Sequence, residues 1–152
     1  MRIQTHETLR RMNCLWAAME SLYHQAAVKL GTSDSVMQVL YIAHDQGGNC
    51  LLRDIYHQTG MTKQTLNSAV RKLEAEGIVL LKPYNGRTKL LCLTEKGRQY
   101  ALQTAARVYE AEASVFDTWA KEEAEQYFRL TQKYIAGFRE QVDAMPTNAN
   151  RS

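Results

Sequence analysis

A mainly α-helical fold carrying one small β-hairpin is predicted by three observations. Apolar residues recur at alternating intervals of three and four over long stretches at both ends of the chain. Two short β-like runs, "IVLLKPY" (78–84) and "KLLCLT" (89–94), flank the turn-forming "NGRT". Only two prolines occur in 152 residues, one of them in the C-terminal tail, so little interrupts the helices.

Each element has its own signal. Leu9, Met12, Trp16, Met19, Tyr23, Ala26 and Leu30 form one seam of a long first helix, and Gly31 stops it. Ser33 caps a second helix with Val36, Val39, Leu40 and Ala43 on its apolar face, ended by Gly47-Gly48. Leu52, Ile55, Tyr56 and Thr59 mark a short third helix. Gly60 suits its left-handed C′ position, Met61 supplies the apolar contact, and Thr62 caps the next helix at once. Two helices joined by a glycine-bearing turn are a helix-turn-helix.

The second of these helices, 63–76, turns Leu66, Ala69, Val70 and Leu73 inward, and Gly77-Ile78 stops it. In the hairpin that follows, Asn85-Gly86 predicts a type I′ turn. A helix-turn-helix followed by a hairpin is a winged helix. Thr94 then caps a long helix whose apolar face is Leu102, Ala105, Tyr109, Phe116 and Trp119, broken near 119–122. Phe128, Thr131, Ile135, Phe138 and Val142 run down a final helix, and 146–152 read as a disordered tail. The terminal seams exceed what the small middle needs to cover. Residues 1–31 and 99–145 are therefore expected to form a helical dimerisation region around a winged helix-turn-helix domain at 32–98.

The net charge of +3 hides an asymmetry. Residues 61–98 hold eight cations against three acids, or +5, whereas 107–143 hold five against eight, or −3. A basic middle argues for one surface facing a polyanion. Three cysteines without a C-x-x-C, no secretory h-region and no apolar run near 18 residues point to a cytoplasmic chain without membrane or disulfides. No phosphate loop, nucleophile elbow or H-E-x-x-H is present, so neither enzyme activity nor a cofactor is expected. His6, His24, His44 and His57 are scattered without ligand spacing, so no metal site is expected.

Helix 63–76 leaves Lys63, Gln64, Thr65, Asn67, Ser68, Arg71 and Lys72 outside its apolar stripe. These are amides, hydroxyls and cations rather than the Glu/Lys pairs of an ordinary solvated face. Gln64 and Asn67 suit adenine edges in a major groove, and Arg71 or Lys63 suits guanine. Thr65 and Ser68 suit phosphates near the helix N-terminus. Arg87, beside Asn85 at the hairpin tip, is placed to enter a minor groove or else to be a solvated turn residue; Lys89 suits phosphate. Double-stranded DNA is thus the expected partner.

The stretch "LRDIYHQTGMTKQTLNSAVRKLEAEGIVLLKPYNGRTKLLCLTEKG" resembles the winged-helix core of the MarR family of bacterial transcriptional regulators. The matching pieces are "LEAEGIV", the wing "NGRTK" and "LCLTEKG". The family often has an acid-x-Arg in the wing, where this chain has Asn85-Gly86-Arg87. The flanking long helices extend the likeness over about residues 9–143. The resemblance implies an obligate homodimer on a pseudo-palindromic operator, with repression the preferred sign. It also implies an effector or oxidant that alters the spacing of the two wing domains.

Two sensing sites are open. Trp16, Met19, Tyr23, Met37 and Tyr41 either line an apolar effector pocket or are core. Cys14, off the first helix's seam, is either a redox switch, as in some relatives of the family, or an unreactive thiol. The alternative to a DNA-binding regulator is a winged-helix protein–protein interaction module, its acidic final helix suiting a basic partner.

Overall fold

A computed structural model describes residues 4–147. In chain order the elements are α1 (Thr5–Lys29), α2 (Asp34–Asp45), β1 (Asn49–Leu51), α3 (Leu52–Thr59) and α4 (Lys63–Ala75). There follow β2 (Val79–Asn85), β3 (Thr88–Leu93), α5 (Glu95–Gln103), α6 (Ala105–Phe116) and α7 (Lys121–Asp143). The chain divides into two compact units after Glu110, within α6. Pro146 and Thr147 follow α7 without regular structure. The rest of the expected tail, 148–152, lies outside the described residues.

The first unit holds the core. Val36, Val39, Leu40 and Ala43 of α2 are buried, as are Ile55 of α3 and Leu66, Ala69, Val70 and Leu73 of α4. All lie on the faces that their spacing selects. The helix ends also form as their residues dictate. Ser33 Oγ accepts from Val36 N–H (3.3 Å), Thr62 Oγ1 from Thr65 N–H (3.1 Å) and Thr94 Oγ1 from Gly97 N–H (3.0 Å). Gly60 is left-handed at φ 66°, a conformation that costs a side-chain-bearing residue most.

Three features depart from the sequence reading. The sheet has three antiparallel strands in the order β1-β3-β2, not the hairpin alone. Cys50 of β1 pairs with Leu91, which also pairs with Leu81 of β2. Secondly, the hairpin turn is not type I′. Asn85 pairs with Thr88, so Gly86 and Arg87 form the tip, and neither has a positive φ. A register shift between Pro83 and Asn85 places an extra residue, Tyr84, in β2. Such a bulge adds local twist and removes the need for a mirror-image turn.

Thirdly, the helix expected from Thr94 to Trp119 is two helices. Thr104 breaks it at φ −125°, ψ −87°. Its buried hydroxyl donates to the Tyr100 carbonyl at 2.8 Å, a back-bond that bends helices. In consequence Ala101, Ala105, Ala106 and Val108 are buried, while Leu102 and Tyr109 are exposed.

In the second unit, α7 begins without glycine or proline. The Glu123 carboxylate accepts from Ala120 N–H at 2.8 Å. Phe116, Trp119, Tyr127 and Phe128 cluster at this corner, with Phe116–Trp119 centroids 5.0 Å apart. No residue of α7 is buried. Its seam residues Phe128, Ile135, Phe138 and Val142 are all exposed.

Candidate nucleic-acid interface

A trough of about 700 Å³ lies between α3, α4 and the β2–β3 wing, all within the first unit. Its floor is apolar: Leu52, Leu66, Val70 and Leu81. Its walls carry Arg53, Lys63, Arg71, Arg87 and Lys89 against a single acid, Glu74. Arg53 approaches Asp54 at 3.7 Å. Lys63, Arg71, Arg87 and Lys89 form no ion pair among the described residues. A concave surface with uncompensated cations concentrates positive potential.

The nine residues singled out for DNA contact, Lys63, Gln64, Thr65, Asn67, Ser68, Arg71, Asn85, Arg87 and Lys89, are all exposed. Six of them, Lys63, Asn67, Arg71, Asn85, Arg87 and Lys89, line the trough together. Gln64, Thr65 and Ser68 lie on α4 outside it. Thr65 Oγ1 accepts from the Thr62 hydroxyl at 2.9 Å, which ties it to the cap. Sequence reasoning missed the α3 wall: Arg53, Tyr56 and His57. Arg53 and His57 stand four apart, a spacing that signals one outward helix face. The Lys63 ammonium sits 5.7 Å from the centre of the Tyr56 ring.

The geometry of α4 relative to the wing is held by a clamp at the start of α5. The Thr94 hydroxyl donates to the Gly77 carbonyl at 2.6 Å, and Lys96 Nζ to the Glu76 carbonyl at 2.7 Å. Both carbonyls lie just past the last helical residue, Ala75, in the turn that leads from α4 to β2.

The other candidates fall elsewhere. Met37 is buried in the core and Tyr41 is half-buried, its ring 5.8 Å from that of Tyr109. Trp16, Met19 and Tyr23 are exposed on α1. Cys14 is exposed; Cys50 and Cys92 are buried. Burial, then Asp54 and Cys92, pushes the Cys50 thiol up to about 12, so it is protonated and inert at neutral pH. Among the described residues no three His, Cys, Asp or Glu side chains gather as a metal site. Nor is any described helix long and apolar enough to cross a membrane.

No family model matches the sequence, and neither does any curated protein. Solved structures do match. A MarR family regulator from Neisseria meningitidis superposes with a TM-score of 0.79 at 18% identity, over 90% of this chain and 96% of that one. A MarR family transcriptional regulator from Rhodococcus sp. RHA1 gives 0.65 at 23%, over 90% and 96%. NadR in complex with 4-hydroxyphenylacetate gives 0.64 at 16%, over 88% and 93%. The match thus spans the terminal helices as well as the wing, and the fold of this chain is that of the MarR family of transcriptional regulators.

Proposed function

We propose that this protein is a transcriptional regulator that binds double-stranded DNA as a homodimer. Helix α4 enters the major groove and the Arg87 tip of the wing reaches the flanking minor groove. The observation that carries this reading is the trough: its unpaired cations and the exposed Asn67 amide of α4 line one concave side. Direct readout falls to Gln64, Asn67 and Arg71, and phosphate contact to Thr65, Ser68 and Lys89.

The dimer is supported by exposed apolar side chains on α1 (Leu9, Met19, Leu22) and, separately, on α7 (Phe128, Ile135, Phe138). Exposed apolar rows of this kind on each unit mark interaction surfaces. A two-fold assembly spaces two copies of α4 for successive major grooves, about 34–36 Å apart, on a pseudo-palindromic operator. A small aromatic acid in the structural neighbour NadR favours a small-molecule effector over an oxidant at Cys14.

The test is selection of bound fragments from the source genome, followed by anisotropy titration of the recovered duplex. Arg71→Ala with Arg87→Ala should abolish specific binding. Unchanged affinity in that double variant would remove the assignment of the reading surface.

A further inference from the structure

Helix α4 opens with a residue that is costly where it stands. The N-terminus of a helix carries partial positive charge and favours acids. The first turn of α4 has none; Lys63 occupies its first position. Nothing neutralises that cation: no described carboxylate pairs with it. It is instead held by a ring, with Nζ 5.7 Å from the Tyr56 centroid, within the range of a cation–π contact. Tyr56 is itself fixed. It packs against the buried core, and the His57 ring meets it edge-on at 5.4 Å. Both Tyr56 and Lys63 line the trough.

We propose that Tyr56 is a positioning residue for DNA binding, its ring holding the Lys63 ammonium at the α3 wall of the trough, where the duplex lies. This rests on the reading of the trough as the DNA surface. Without the ring, Lys63 is repelled by its own helix end and samples solvent on a flexible stem. With it, the cation stays in one place and loses less freedom when a phosphate or base edge arrives. The arrangement exchanges some stability of α4 for a pre-placed charge.

The experiment is a double-mutant cycle, read as affinity for the selected genomic duplex. Tyr56→Leu should weaken binding about 2- to 5-fold, the worth of an exposed cation–π contact. Tyr56→Phe, which keeps the ring, should restore it. In a Lys63→Met background Tyr56→Leu should add nothing. Because Tyr56 also packs on the core, Lys63→Glu gives a second measurement: its melting temperature should rise by roughly a degree or two while duplex affinity falls. Equal loss from Tyr56→Leu with and without Lys63 would overturn the inference. So would an unaltered Tyr56→Leu affinity beside a strongly weakened Arg71→Ala/Arg87→Ala control, which leaves the DNA reading intact. A control that binds as well as the parent overturns the DNA reading itself.

Discussion

Replacing Gly97 by alanine sets two physical effects against each other. Gly97 lies in the first turn of α5, where alanine is favoured over glycine by no more than about 1 kcal/mol. On propensity alone the variant would be more stable. The added methyl carbon, however, would overlap the Ile78 carbonyl and approach Ile78 Cγ2 at 3.3 Å. The carbonyl is not free to retreat. It accepts from Thr94 N–H at 3.0 Å and lies 3.1 Å from the Thr94 hydroxyl. Forcing an extra carbon into a packed contact costs roughly 1–3 kcal/mol, and each hydrogen bond lost adds about 1 kcal/mol. The net expectation is destabilisation by about 2–3 kcal/mol, or roughly 5–10 °C in melting temperature for a chain of this size. Urea unfolding followed by circular dichroism, at matched protein concentration because the stability of the proposed dimer would depend on it, measures the difference. A Gly97→Ala midpoint at or above that of the parent would refute the argument.

Four further outcomes follow from the same structure. Thr88 Oγ1 is buried and finds no hydrogen-bond partner among the described residues, so Thr88→Val should stabilise the fold by about 1 kcal/mol in the same assay; destabilisation would show that the hydroxyl is satisfied. A thiol reagent should modify Cys14 alone in the native chain, and Cys50 and Cys92 only in urea. Raised to about 12 in the fold from 9.0, Cys50 contributes stability that is whole below about pH 9 and lost as pH rises toward 12; a Cys50→Ala variant should show a flatter urea midpoint across that window. Finally, Arg87→Ala should lower the slope of log K against log salt by about one per wing, whereas Arg71→Ala should change base preference at one position by roughly 1–3 kcal/mol. Interchanged phenotypes would reverse the roles given to helix and wing.

What could be read from the sequence was local. The caps Ser33, Thr62 and Thr94 and the stop at Gly60 act on backbone within four residues, so their types suffice. Strand β1 is different: three residues have no period of their own, and it exists because β3 offers an unpaired edge. The break at Thr104 needs the burial of one hydroxyl, which tertiary packing decides. The turn at Gly86-Arg87 was misread because a bulge upstream changed the twist. The α4 half of the trough was legible from its composition. The α3 half was not, because Arg53, Tyr56 and His57 meet α4 only through the angle at Gly60. Register also settles a point that cysteine counting leaves open. Cys92 lies opposite Asn49, one position along from Cys50, so the two thiols project from opposite faces of the sheet and cannot join without unpairing β1.

The clamp at the start of α5 constrains how such a protein can be regulated. Thr94 and Lys96 hold the Gly77 and Glu76 carbonyls just past the end of α4. Leu93 N–H donates to the Gly48 carbonyl at 2.8 Å, tying β3 to the end of α2. Gly97 lets α5 seat directly on Ile78, the residue that joins α4 to β2. Helix α4 and the wing are therefore fixed to each other through these hydrogen bonds and the close seat of α5 on Ile78, and changing their relative angle means breaking several of them together. Moving one whole winged domain relative to that of a second chain breaks none of them. A signal with only a few kcal/mol of differential binding energy is thus far better spent on the separation of the two reading surfaces than on the shape of either. Lys96→Ala, which opens one arm of the clamp at an exposed contact, tests this. It should weaken operator binding while leaving intact any loss of binding that an effector produces. A variant that still binds the operator but no longer responds to the effector would place the switch inside the winged domain instead.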